Sequence, residues 1–170
     1  NYFCTFCSTK LVKGKLFSYP IDAIREDVKS HLKTGCREIW ITSNDTGAYM
    51  AEQGGKQKLV ELMKNILSVP MEFKVRIGMM NPGNTIAMLD ELIEIYKHPK
   101  MFKFLHIPVQ SGNNEVLKAM NRRYNVDEFI EVVEAFKKEI PEITISTDII
   151  VGFPTETESQ FQDSMELLRK

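Results

Sequence analysis

Phe104-Leu105-His106-Ile107-Pro108-Val109-Gln110-Ser111-Gly112 reads as a short apolar strand running straight into a polar loop that ends in glycine. Downstream, the spacing predicts a short helix around Glu115 to Met120, a longer one from Val126 to Glu139, and an apolar strand from Thr144 to Val151. A strand, a polar loop, helix and a second apolar strand make a βαβ unit, which places two parallel strands side by side. The strands are apolar runs without clean alternation, as expected where helices cover both faces of a sheet.

The same unit recurs upstream. Phe73 to Ile77 is a predicted strand, Met79 to Gly83 its loop, and Thr85 to Tyr96 a helix with Met88, Leu89, Leu92, Ile93 and Tyr96 on one face. Before it lie a strand at Glu38 to Thr42, a polar loop from Ser43 to Gly55, and a helix carrying Leu59, Leu62, Met63, Ile66 and Leu67 that Pro70 stops. A further helix opens at Pro20, carries Ile21, Ile24, Val28 and Leu32, and closes at Gly35. The basic, glycine-interrupted stretch from Leu11 to Ser18 reads as loop. At the far end, Gly152-Phe153-Pro154 turns into a helix from Ser159 to Arg169. The order predicts an α/β fold, either a parallel barrel or partial barrel or a doubly wound sheet. Both ends look cut, because the opening loop should follow a strand and the last helix should lead into one.

Composition fits one domain. The chain has 170 residues, 43% hydrophobic and 26% charged, with a formal net charge of -1, so it can bury a core and is not disordered. Near-neutrality gives no general argument for a nucleic-acid partner, although Lys10, Lys13 and Lys15 are locally dense. Three cysteines do not make a disulfide framework and fit a reducing, cytoplasmic setting. No apolar run approaches the ~20 residues of a membrane span.

Cys4 and Cys7 stand in C-x-x-C spacing, between Phe3 and the basic stretch, with Phe6 before the second cysteine. Two thiolates this close can grip one metal centre or form a redox pair. A zinc site needs two more ligands, and Cys36, His31, His98 and His106 show no ligand spacing. A thioredoxin-like motif follows a first strand, and none precedes Cys4. Polar residues gather after each predicted strand: Thr42 to Tyr49, Gly78 to Pro82, Gln110 to Gly112, and Gly152 to Glu156. Arg76 lies near one strand's end and His106 inside another. In parallel α/β folds the C-terminal strand ends share one rim, where chemistry collects. Each loop taken singly is a solvated turn; these four and the cysteine loop, five together on one rim, favour a site.

The whole chain resembles the radical SAM (S-adenosylmethionine) domain of tRNA methylthiotransferases. The resemblance rests on the C-x-x-C, on Ile-Thr-Ser-Asn-Asp-Thr-Gly-Ala-Tyr (41–49), on His-Ile-Pro-Val-Gln-Ser-Gly (106–112) and on Asp-Ile-Ile-Val-Gly-Phe-Pro-Thr-Glu-Thr (148–157). The 43–49 loop and the segment 13–22, with Ser18-Tyr19 where bacterial relatives carry Ser-Arg, are similar to the archaeal and eukaryotic branch, which acts on N6-threonylcarbamoyladenosine beside the anticodon.

The resemblance implies a partial parallel (β/α) barrel of the radical SAM type, truncated at both ends. Residues 1–170 would be the core, without the family's N-terminal methylthiotransferase domain or its C-terminal RNA-binding domain. It implies a [4Fe-4S] cluster, with Cys4 and Cys7 as two of three ligands and a first cysteine just before Asn1. It implies SAM held by Ser43, Asn44, Asp45, Thr46 and Gly47 at its amino group, by Arg76 at its carboxylate, and by Gln110 and Ser111 at the ribose or methionyl part. Gly152, Phe153 and Pro154 would approach the adenine, with Phe6 packed nearby, and Lys10, Lys13 and Lys15 would meet tRNA phosphates. Glu156 would start a helix, His106 would be a satisfied core residue, and Cys36 a small buried one. Reductive cleavage of SAM would give a radical that takes the adenine C2 hydrogen before sulfur adds. Three other readings stay open: a ribosomal-protein methylthiotransferase, a non-catalytic domain with a zinc-binding C-x-x-C, and an ordinary SAM methyltransferase. Without its first cysteine, the 1–18 segment is expected to be displaced and the chain alone to be inactive.

Overall fold

The computed structural model describes residues 3–54 and 57–169. Gly55, the last residue of the expected polar loop, lies outside them, as does the side chain of Lys10. The elements run α1 (Thr9–Lys13), α2 (Ile21–Lys33), β1 (Glu38–Ile41), a 3-10 turn (Thr46–Ala48), α3 (Leu59–Leu67), β2 (Lys74–Ile77), α4 (Pro82–Ile86), α5 (Leu89–Lys97), β3 (Phe104–His106), α6 (Asn114–Ala119), α7 (Val126–Glu139), β4 (Thr144–Ser146) and α8 (Glu158–Leu167).

All strand pairing among the described residues is parallel. Ile39 pairs with Val75 and Ile41 with Ile77, and Leu105 pairs with Ile145. The two pairs are stitched together where Val75 bridges Met101, where Phe102 N donates to Val75 O at 2.9 Å, and where Met80 N donates to His106 O at 3.0 Å. Spatial order therefore follows chain order, β1-β2-β3-β4. A doubly wound sheet reverses its order at a switch point, so this is the partial-barrel alternative.

Strand parity sets the layers. Ile39, Val75, Ile77, Leu105 and Ile107 are 0–8% exposed beneath the helices, packed with Leu62, Met63, Ile66, Leu92 and Phe136. Alternate residues face the other way, and Trp40 there is 57% exposed. One face is helix-covered and the other, the concave one, is open among the described residues, which corrects the expectation of two covered faces.

Four local differences have physical causes. Regular pairing of β3 and β4 stops at His106 and Ser146 rather than at Val109 and Val151. Pro108 has no N–H for the ladder, and the Thr147 hydroxyl steps in, accepting from Val109 N at 3.0 Å and donating to Ile107 O at 2.9 Å. Pairing resumes where Gln110 N donates to Asp148 O and Ile150 N to Gln110 O. The single helix expected from Thr85 to Tyr96 is two, because Asn81 caps a short α4 with Pro82 in its first turn and the chain turns at Met88 before α5. The basic stretch holds one short helix, α1, ended by Gly14 at φ +68°. Of the 1–18 segment, residues 1 and 2 lie outside the described residues; the rest, 3–18, is seated rather than displaced. Thr5 N donates to Met120 O at 3.2 Å, Thr5 Oγ1 to Ala119 O at 3.1 Å, and Asn121 Nδ2 to Phe3 O at 2.9 Å. Among the described residues, no helix is long and apolar enough to cross a membrane.

Candidate functional site

The C-terminal strand ends open onto a cleft of about 500 Å³ whose walls include Cys4, Phe6, Cys7, Ser43, Asn44, Asp45, Met79, Gln110 and Arg122. A tight turn, with Cys7 N donating to Cys4 O at 3.2 Å, brings both cysteines to it. Cys4 is buried and Cys7 half-buried, and neither is in a disulfide. Lys13, Lys15 and Phe17 line the outer rim.

Asp45 fixes the second wall. Its Oδ1 accepts from Asn81 N at 3.1 Å and its Oδ2 from Asn84 Nδ2 at 2.8 Å, while Gln57 Nε2 donates to Asn84 Oδ1 at 2.9 Å. Withdrawal from water pushes the Asp45 pKa above the usual carboxylate value, against the lowering pull of its bonds to Asn81 and Asn84. The Ser43-Asn44-Asp45 loop is thus tied to the start of α4.

Gln110 forms the third wall in a left-handed conformation, φ +74°. Its own N–H and C=O are both bonded to the β4 exit, which holds a backbone state that costs a non-glycine residue about 1–2 kcal/mol. Next to it, Gly112 N donates to Ser164 Oγ at 2.8 Å and Asn113 Nδ2 to Asp163 Oδ2 at 2.7 Å, pinning the loop to α8. A second cavity of about 450 Å³ is lined by Thr5, Phe6, Ala119, Ile150, Gly152, Phe153 and Pro154. Phe6 belongs to both cavities. Glu156 Oε2 accepts from Gly152 N at 2.6 Å and Phe153 N at 3.3 Å, so Glu156 closes this turn, while Thr157 caps α8.

A family model described as the radical SAM superfamily matches residues 1–168. The chain belongs to the radical SAM superfamily. It is 50% identical over 98% of its length to a probable threonylcarbamoyladenosine tRNA methylthiotransferase of Archaeoglobus fulgidus, and covers 39% of that protein. It is 44% identical, again over 98% of its length, to the threonylcarbamoyladenosine tRNA methylthiotransferase of Mus musculus, covering 29% of it. The chain thus spans well under half the length of these relatives. Among solved structures, the cobalamin-dependent SAM radical enzyme OxsB with aqua-cobalamin bound superposes with a TM-score of 0.74 over 98% of this chain and 24% of that one. At 13% identity that likeness shows the fold alone.

Membership in the radical SAM superfamily implies SAM and a [4Fe-4S] cluster as cofactors. The donor chemistry fits: two thiols, the ligands iron–sulfur clusters take, converge on one cleft. Among the described residues, no group of three or more His, Cys, Asp or Glu is placed to hold a metal ion.

The remaining expected site residues divide. Thr46, Gly47 and Ser111 are buried behind the cleft wall rather than in it. Thr46 N donates to Met79 O at 2.9 Å, and the Ser111 hydroxyl accepts from Asn113 N at 3.2 Å. Arg76 does not line the cleft either. Its parity turns it to the concave face, where the guanidinium stacks 3.9 Å from the Phe104 ring centre and 4.8 Å from that of Trp40. His106 is half-buried and meets Asp148 at 3.0 Å, so it is no core histidine; Cys36 is half-buried, its thiol donating to Glu38 O at 3.1 Å. In sequence Arg122, like Arg123, reads only as a basic residue for phosphate or solvent and Tyr124 carries no signal; the return of the chain beneath the cysteine turn places Arg122 and Tyr124 at the site.

Proposed function

We propose that this chain is the radical SAM core of a tRNA methylthiotransferase acting on N6-threonylcarbamoyladenosine next to the anticodon. The carrying observation is the convergence of Cys4 and Cys7 with Ser43, Asn44, Asp45 and Gln110 on one cleft at the C-terminal ends of parallel strands. The names borne by the similar proteins support the substrate. When bound, the reduced cluster supplies the electron that cleaves SAM and so the oxidising power to remove the adenine C2 hydrogen.

In this reading Cys4 and Cys7 hold iron. The loop Ser43 to Asp45 meets the SAM amino group, with Thr46 and Gly47 buttressing it from behind. Gln110 meets the methionyl or ribose part, and Ser111 fixes its loop. Phe6, Gly152, Phe153 and Pro154 enclose the adenine in the adjoining cavity. Lys13 and Lys15, at the cleft's rim, take tRNA phosphates, with Lys10 beside them in sequence. The relatives are far longer than this chain, which supports a need for further domains for RNA binding and sulfur insertion. A tRNA substrate supports a cytoplasmic setting.

The test uses the full-length protein, reconstituted anaerobically with iron and sulfide. Dithionite and SAM should yield 5′-deoxyadenosine, and tRNA carrying N6-threonylcarbamoyladenosine should gain a methylthio group by mass spectrometry. Zinc in place of iron and sulfide, or a fully loaded cluster giving no 5′-deoxyadenosine, would overturn the reading.

A further inference from the structure

The chain reverses sharply after α6. Asn121 adopts φ +58°, and Arg122 N donates to Leu117 O at 2.9 Å, closing the helix end. The reversal turns the residues around the α6 terminus into a receptor for the cysteine turn. The backbone of that turn is held at both Phe3 and Thr5 by the three bonds described above. The same reversal brings the Arg122 guanidinium to the first thiol, with Nη1 3.2 Å from Cys4 Sγ.

Arg122 is not a loose side chain that happens to reach sulfur. Its Nε donates to Tyr124 Oη at 2.8 Å and its Nη2 to Pro108 O at 3.4 Å, and the guanidinium lies 5.0 Å from the Tyr124 ring centre. Tyr124 is 6% exposed and donates in turn to Val109 O at 2.7 Å, inside the strand exit that carries Gln110. The cation is therefore fixed from one side by the exit of β3 and delivers one N–H from the other side to the thiol.

Resting on the reading of Cys4 as a cluster ligand, we infer that Arg122 is a positioning residue that sets the reduction potential of the cluster. Hydrogen bonds to cluster sulfurs and nearby positive charge favour the state with one more electron, so they raise the potential. A half-buried guanidinium against a ligating thiolate does both, and its fixed fork also ties the cysteine turn to the exit of β3. Lysine could keep the charge but not the three-way fork.

The experiment is an EPR-monitored titration of the reconstituted full-length protein, reading the one-electron-reduced cluster against dithionite with mediators. Wild type, Arg122→Gln and Arg122→Lys are compared at matched iron and sulfide content. Arg122→Gln should lower the reduced-to-oxidised ratio at a given poise about tenfold, equivalent to about 59 mV for one electron, with Arg122→Lys between it and wild type. Thermal melting of both variants separates this from a general loss of fold. If Arg122→Gln fails to load, the lysine variant still decides, since an unchanged potential there with normal loading refutes the role of the fork. An unchanged potential in a fully loaded glutamine variant overturns the inference and leaves the radical SAM reading intact. Failure of the wild type to bind iron and sulfide would instead sink that reading.

Discussion

Two glycines near the site should respond to the same substitution with opposite sign. A Cβ built on Gly112 would lie 2.6 Å from Asp163 O, 2.6 Å from Ser164 Cα and 2.8 Å from Asp163 C. Non-bonded carbon contacts sit near about 3.5–4.0 Å, so the loop and α8 would have to part by about 1 Å. Every one of those neighbours is backbone, and none can swing aside. Overpacking of this kind costs about 1–3 kcal/mol, and with no flexible side chain to yield Gly112→Ala belongs at the upper end, about 3 kcal/mol. At about 2–4 °C per kcal/mol for a chain of this size, its melting temperature should fall by about 6–12 °C. At Gly83, within α4, the nearest atoms are 3.4, 3.6 and 3.7 Å away, ordinary contact distances. Gly83→Ala removes glycine's entropic cost in a helix and should stabilise by about 0.5–1 kcal/mol. The assay is thermal unfolding followed by circular dichroism, with both variants measured in one buffer without cofactors. Because Gln110 precedes the wedge, Gly112→Ala should also weaken SAM binding, whereas Gly83→Ala should leave it alone. A Gly112→Ala melt within about 2 °C of wild type would refute the claim that the loop sits hard against α8.

Three further outcomes test other parts of the fold. The folded-state pKa of Asp45 is raised, mainly by desolvation, above its unfolded value. The folded chain thus holds that proton more tightly, and the contribution of Asp45 to stability grows as pH falls through the raised value toward the ordinary carboxylate range. The difference in unfolding free energy between wild type and Asp45→Asn should therefore shift toward wild type on acidification; a shift the other way would show that the Asn81 and Asn84 bonds outweigh desolvation. Burial pushes Tyr124 up to about 12 and raises Tyr96 well above its ordinary value. In ultraviolet titration to pH 11, Tyr96 and Tyr124 should stay largely un-ionised in the folded chain and ionise once denaturant is added; full ionisation of both in the native state would contradict the packing. Thr147→Val removes the hydroxyl that bonds both Val109 N and Ile107 O. It should cost about 1–3 kcal/mol in urea unfolding and speed hydrogen exchange at the Val109 amide.

What the sequence shows well is what short-range physics decides. Periodicity marks α2, α3 and α7, and the structure adds capping boxes at Asn125 with Glu128 and at Thr157 with Gln160. The βα alternation carries the parallel pairing, but not the choice between barrel and doubly wound sheet. That choice depends on which strands meet, as at Val75 and Met101, and no local signal encodes it. The Thr147 splice is equally hidden, since a threonine in a β-branched run looks like any other strand residue until Pro108 is set opposite it.

The two arginines show where legibility of the site ends. Arg76 stands near a strand end, and proximity in sequence suggests the rim. Yet the side chains of a strand alternate between its faces, and in a run such as Lys74-Val75-Arg76-Ile77 the buried residues are Val75 and Ile77. Parity therefore commits Arg76 to the concave face, where it lies against Phe104 and Trp40 rather than in the cleft. Arg122 lies beyond a helix end, where sequence offers a phosphate contact or a solvated turn and nothing that points to the cysteines. It reaches Cys4, 118 positions away, because Asn121 tolerates a left-handed turn and Tyr124 anchors the returning strand exit. Motifs locate the loops that form the rim; which cation enters the cleft is decided by strand parity in one case and by a single backbone reversal in the other.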